Sequence, residues 1–159
     1  MIDNYILAPV FIHLFTAIAQ LMAWRKTVTQ RVMSVIGSSL GVLLAIRLFT
    51  KVYHSGILTM NASNWDAPFG IVFVADLLSS TLVLITSLAA LAVSLFSATG
   101  LSRQRMLYGY FPIFHFLVMG LNGAFLTGDI FNLYVWFEVI IISSFVLMTL
   151  GGRKAQLEG

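Results

Sequence analysis

Gly128 to Leu150 reads GDIFNLYVWFEVIIISSFVLMTL, and its last twenty residues, Phe131 to Leu150, form an apolar run with one charged residue inside it, Glu138. At ~1.5 Å rise per residue such a run spans about 30 Å, the thickness of a bilayer's hydrocarbon core. Glu138 then lies roughly 10 Å below the nearer interface. Placing a charge at the centre of a bilayer costs on the order of 2.5–3.5 kcal/mol on insertion scales, so an intramembrane carboxylate points to an ion or proton pathway. The competing reading is a carboxylate that bonds a neighbouring helix, or a short helix that draws Glu138 toward the interface.

The rest of the chain agrees with a membrane solvent. Of its 159 residues 59% are hydrophobic and only 9% charged, against ~25% charged in a soluble domain. The net charge of +3 is carried by short basic clusters between apolar runs, which argues against nucleic-acid binding. There is no cysteine, which excludes disulfides, thiolate metal sites and cysteine nucleophiles. No pattern for a metal, a cofactor or a catalytic residue is visible. The first residues, Met1-Ile2-Asp3-Asn4, lack the positive start of a removable signal peptide, and the positive charge follows the first apolar run. That fits an uncleaved first span.

The expected fold is an all-α, polytopic transmembrane bundle of about five helices in one membrane domain: 5–23, 32–51, 75–96, 107–126 and 131–150. Pro9 falls near the start of the first, where a missing N–H costs little. Phe69 to Phe96 exceeds the ~20 residues a span needs, and Pro68, Gly70 and Asp76 crowd its beginning, so the third helix is placed from about Ala75. Ahead of it, Ile57 to Met60 and Ile71 to Val74 are β-prone, with turn-prone Asn61, Ala62, Ser63 and Asn64 between them. A hairpin-like extracytoplasmic loop is expected over about 56–74; an irregular loop is the alternative.

Orientation follows from lysine and arginine. Arg25, Lys26, Arg31, Arg103, Arg105, Arg153 and Lys154 all fall on one side if the spans alternate. That side is the cytoplasm, so the N-terminus is outside and the C-terminus inside. Arg47 and Lys51 remain for the outer side, where long basic side chains snorkel to the interface.

Among the polar residues within spans, His13 has no obvious partner and reads as a packed histidine. His115 sits near the middle of the fourth span. The fourth and fifth spans share a very short loop, so they are antiparallel neighbours, and His115 lies about one turn deeper than Glu138. A His115–Glu138 contact, direct or through water, is geometrically open. Gly109, Gly120 and Gly123 permit close helix approach, Asn122 can bond across helices, and Pro112 can kink the fourth helix. Asp129 and Asp76 read as N-caps of the fifth and third helices, roles that need no ion.

GAFLTGDIFNLYVWFEVIIISSFVLM resembles the fifth-helix region of the D subunit of Mrp-type multisubunit sodium/proton antiporters, and WDAPFGIVFVADLLSS resembles the stretch entering that subunit's third helix. YFPIFHFLVMGLNG between them also fits, so the likeness covers most of Trp65 to Gly152; the first two spans match mainly in hydrophobicity and placement. This family belongs with the antiporter-like subunits of respiratory complex I and of membrane-bound hydrogenases. The resemblance implies that Glu138 is the fifth-helix glutamate essential for ion translocation, and that His115 is the family's fourth-helix histidine. Family members are several times longer, built on inverted repeats, and pair that glutamate with a lysine on a later helix. The chain therefore reads as the N-terminal third of a longer subunit, a truncated gene or one piece of a split subunit.

The expected function is that of an ion-translocating, non-enzymatic subunit of a sodium/proton antiporter in the cell (inner) membrane. Glu138 would be its protonatable group, His115 a relay and Asn122 a polar contact. The partners implied are other membrane subunits, sodium ions, protons and the lipid bilayer. Two alternatives stand beside it: a proton-pumping subunit of a quinone- or hydrogen-linked redox complex, and a membrane scaffold whose polar residues only hold helices together.

Overall fold

In a bilayer core no water is present to satisfy backbone N–H and C=O groups, and only helices or closed barrels satisfy them internally. The computed structural model describes residues 5–62 and 70–151 and takes the helical solution. In chain order the elements are α1 (Ala8–Met22), α2 (Thr27–Ser55), β1 (Leu58–Asn61), β2 (Val72–Ala75), α3 (Leu77–Gly100), α4 (Arg103–Leu107), α5 (Tyr110–Leu126) and α6 (Ile130–Thr149). The fold is an all-α membrane bundle carrying one small ribbon. Helices α2, α3 and α6 are long and apolar enough to cross a membrane. Helices α1 and α5 are apolar but shorter, at 15 and 17 residues.

Helix ends differ from the apolar limits because hydrogen bonding, not hydropathy, sets them. Apolarity alone places the second helix at 32–51, yet α2 runs over 29 residues. It stops at Gly56, whose φ of 78° is costly for any residue with a Cβ. The third helix starts at Leu77 rather than Ala75, because Asp76 caps it: its carboxylate accepts from the Ser79 N–H at 2.7 Å, and the Asp76 N–H donates to the Ser79 hydroxyl at 2.9 Å. That reciprocal pair is a capping box. The fourth helix, expected from 107, is split. The short α4 ends before Gly109, whose φ of 91° breaks the chain direction against the Trp24 ring, and α5 begins at Tyr110. Pro112 thus lies in the first turn of α5, where its missing N–H breaks no bond, so the kink allowed for it is not needed.

β1 and β2 pair antiparallel, Leu58 opposite Ala75 and Asn61 opposite Val72. Leu58, Met60, Phe73 and Ala75 turn inward and are buried, the alternation a two-faced strand requires. Beyond Ala62 the connecting turn lies outside the described residues, as do Trp65, Asp66, Pro68, and the tail with Arg153 and Lys154. β2 is also tied to the α5–α6 connection. Gly128 N–H donates to Val72 O at 2.7 Å, and Val72 N–H donates to the Asp129 carboxylate at 3.2 Å.

Helix α5 is the centre of the bundle. It packs on α1, α3 and α6, while α2 fits between α1 and α3. Helix α6 packs chiefly on α5, through Gly120 facing Ile140 and Gly123 facing the Trp136 ring. The apolar interior has two parts. One lies under the ribbon and includes Ile6, Val52, Phe73 and Leu126; the other is Ala90, Phe114 and Val118. Polar side chains fill the bundle beside them.

Candidate functional site

Five polar side chains from four helices meet in the bundle interior. His13 on α1, His115 on α5, and Ser34 and Ser38 on α2 are fully buried, and Ser94 on α3 is 1% exposed. The His13 and His115 Nδ1 atoms are 2.9 Å apart, with the rings stacked at 5.2 Å between centroids. His115 Nε2 is 3.0 Å from Ser34 Oγ, Ser34 Oγ is 3.1 Å from Ser94 Oγ, and Ser94 Oγ is 2.7 Å from Ser38 Oγ. The result is one continuous hydrogen-bonded chain.

Small residues make the meeting geometrically feasible. Ser34 and Ser38 are one turn apart on α2, as are Gly37 and Gly41, and residues four apart share a helix face. Gly37 faces Thr16, and a Cβ at Gly41 would stand 2.8 Å from His13 Nε2. Close backbone approach at glycines is how membrane helices gain packing contact. His13 Nε2 itself is buried without a hydrogen-bond partner among the described residues, as is Ser87 Oγ.

Other polar groups extend this interior. One turn along α3 from Ser94, Ser97 Oγ bonds the Tyr110 hydroxyl at 2.8 Å. Gln20 and Gln30 close the α1–α2 connection by donating to the Gln30, Ala23 and Trp24 carbonyls. Asn122 donates to Pro9 O at 3.3 Å, linking α5 to the first turn of α1, while its Oδ1 has no partner among the described residues.

Glu138 stands elsewhere. It lies on the exposed side of α6, with Tyr134 one turn earlier interacting with its carboxylate. The His115–Glu138 contact left open by depth is not made directly, because both His115 ring nitrogens are bonded to His13 and Ser34. Counting residues from the loop sets depth along two antiparallel helices but not direction around them. His115 points to α1 and α2, whereas α6 lies on the face of α5 that carries Gly120 and Gly123. His13, read as a packed histidine whose partner the sequence does not reveal, is bonded to His115.

Asp129 accepts the Asn132 N–H at 2.7 Å, and Asn132 donates in turn to the Thr127 hydroxyl at 2.8 Å. Near the C-terminal end of α2, Lys51 Nζ sits 5.2 Å over the Tyr5 ring, in a cleft that Arg47 also lines. No group of three or more metal-ligating side chains occurs among the described residues. The serines of the interior chain were not singled out from sequence. Part of their signal was present: Ser94 continues a seven-residue spacing from Ser80 and Ser87 along α3, and Ser34 and Ser38 stand four residues apart in α2.

No family model matches the chain. It is 38% identical over 155 residues to the D subunit of the Na(+)/H(+) antiporter of Bacillus subtilis, covering 98% of this chain and 31% of that protein. The structure is similar to a chain of the Mrp complex from Dietzia sp., with a TM-score of 0.87 at 23% identity, covering 99% of this chain and 30% of that one. It is similar as well to a chain of an archaeal respiratory membrane complex, the membrane-bound sulfane sulfur reductase, with a TM-score of 0.84 at 24% identity, covering 97% and 31%. At these identities the structural likenesses establish the fold alone.

Proposed function

The chain belongs with the D subunits of sodium/proton antiporters, spanning 31% of their length, and on that premise we propose that it is an ion-translocating part of a multisubunit cation/proton antiporter. It is a multi-pass protein of the cell membrane and a transporter component rather than a catalyst. Its partners in this reading are the remaining subunits of the complex, and its transported species are a cation, sodium first, and the proton.

The observation that carries the proposal is Glu138. It is an ionisable group within α6, a helix otherwise lined by exposed Ile130, Phe131, Val135, Phe137, Ile141 and Phe145. A charged carboxylate at that depth costs several kcal/mol unless it takes up a proton or meets a cation. Both responses are elementary steps of cation/proton exchange. Glu138 faces outward from this bundle, onto a side that its own helices leave uncovered. The partner groups of its path therefore come from protein packed on α6. His115 and Asn122 serve from within the bundle.

Replacement tests the role. In the assembled complex, Glu138→Gln is expected to abolish sodium-dependent proton exchange while assembly is retained, and Glu138→Asp to keep part of the activity. Glutamine keeps shape and hydrogen-bonding capacity but cannot titrate. A glutamine variant that assembles and transports like the parent would make Glu138 structural and leave the scaffold reading. An ionisable group within an apolar helix would equally serve a second reading, a proton-pumping subunit coupled to electron transfer. Proton movement driven by a sodium gradient alone, without electron donors, supports the antiporter over it.

A further inference from the structure

We propose that His13, His115, Ser34, Ser94 and Ser38 form a second proton-holding site and a proton-conducting chain inside the bundle, separate from Glu138. The proposal rests on the reading of the chain as part of a proton-translocating assembly.

The chemistry follows from the 2.9 Å between the two Nδ1 atoms. A hydrogen bond there requires one Nδ1 to carry a proton and the other to be bare. Two neutral arrangements satisfy this. In the first, His13 Nδ1–H donates to His115 Nδ1, and His115 Nε2–H donates to Ser34 Oγ. In the second every bond is reversed, so that Ser34 donates to His115 and His115 to His13. His13 Nε2 ends the chain in both, as a bare lone pair in the first and an N–H in the second. It is buried, without a hydrogen-bond partner among the described residues, and packs against Gly41, whose missing side chain leaves room for the ring.

A proton that binds His13 Nε2 in the first arrangement makes His13 an imidazolium. Its Nδ1 proton passes to His115 Nδ1, and the His115 Nε2 proton passes to Ser34 Oγ. Ser34 gives up its own proton to Ser94, and Ser94 to Ser38. Each atom that gains a proton on one side loses one on the other. One proton enters at His13, one leaves from Ser38 to a water molecule, which takes it up as the chain's acceptor, and the chain is left in the second arrangement. Rotation of the hydroxyls and tautomer exchange restore the first.

The surroundings suit a single mobile charge. The groups packed on the imidazole pair are Ser34, Ser38 and Gly41 from α2, Ser94 from α3 and the Phe114 ring from α5, at 5.4 Å from His115. None carries charge. Two imidazolium rings this close repel, so the pair takes up one proton and not two. The next titratable group is Tyr110, bonded to Ser97 one turn beyond Ser94 toward the α3–α4 connection, where Arg103 and Arg105 lie. Ser34 and Ser94 lie toward the basic ends of α2 and α3, and Ser38 lies one turn deeper in the bundle.

Two measurements on the assembled complex decide the matter. In proteoliposomes, Ser94→Ala removes the hydroxyl joining Ser34 to Ser38 with almost no change in volume. It is expected to slow proton movement at least about tenfold with unchanged assembly, in line with the loss of a positioned proton-transfer group. His13→Gln should slow it likewise and flatten its pH profile. In bilayers containing nitrogen-15 histidine, nuclear magnetic resonance should show coupling across the two Nδ1 atoms and uptake of one proton per pair. Transport in both variants at the parent rate with the parent pH profile overturns the proposal. So does independent protonation of both rings without Nδ1 coupling. If Glu138→Gln abolishes exchange while Ser94→Ala and His13→Gln do not alter it, this proposal fails and the antiporter reading stands. If Glu138→Gln transports normally, that reading loses its carrier, and the one-proton signature still decides the histidine pair.

Discussion

At the residue scale, glycines decide where helices touch. A Cβ at Gly123 would run into the Trp136 ring. Gly123→Ala is therefore expected to destabilise the α5–α6 contact by about 1–3 kcal/mol, the usual cost of overpacking. Gly56 meets nothing within 4 Å, and its cost comes only from a φ of 78°. Gly56→Ala should cost about 1–3 kcal/mol through that backbone conformation alone, because φ 78° with ψ −155° is open essentially to glycine only. Comparative unfolding in mild detergent ranks the two, and equal stability of the Gly123 variant and the parent would remove the contact from the account. Both glycines are visible in the sequence, but only the packing separates the crowded one from the open one.

At the element scale, Asp76 holds the start of α3. The Ser79 N–H bonded to its carboxylate lowers its pKa from the ordinary value near 3.8. A carboxyl group whose folded pKa is depressed adds stability above its unfolded pKa, and that contribution is lost as pH falls through the folded value. Parent stability should therefore decline below about pH 4. Asp76→Ala should cost about 1 kcal/mol at neutral pH through the lost cap and show a shallower acid decline. Unfolding curves at pH 7 and pH 3 test this, and identical acid profiles would show that the cap is not the titrating element. The same elements set the topology. The β1–β2 ribbon and the α3–α4 connection lie at opposite ends of α3, and from the distribution of lysine and arginine we propose that the second end faces the cytoplasm. Single cysteines at exposed Thr59 and Ser102 should react with impermeant reagents from opposite sides of the membrane. Labelling of both from one side would overturn the arrangement.

At the scale of the whole molecule, the proposed function makes this bundle one wall of a larger path. Helix α6 presents Glu138 and a row of large apolar side chains outward, and the chain spans 31% of the length of its Bacillus subtilis relative. Residues 1–159 reconstituted alone in liposomes should show no sodium-driven proton movement above empty vesicles. Robust exchange by this chain alone would show that the uncovered face of α6 needs no partner.

The sequence by itself determined the solvent, the helical class, the placing of Glu138 within an apolar helix and the two aspartate caps. Each rests on composition or on spacing along one element: twenty apolar residues span a bilayer wherever they pack, and an aspartate caps the helix that follows it. Helix limits were legible only within a few residues, because Gly56, Gly109 and Asp76 end or begin helices at places hydropathy does not mark. The meeting of His13 with His115, Ser34, Ser38 and Ser94 was decided by tertiary structure alone. Its members come from four helices, and His13 and His115 stand 102 residues apart. Which faces turn inward is set by Gly37, Gly41, Gly120 and Gly123, through the close approaches they allow. Depth in the membrane can be counted along a chain, but direction around a helix axis is settled only when its neighbours are in place.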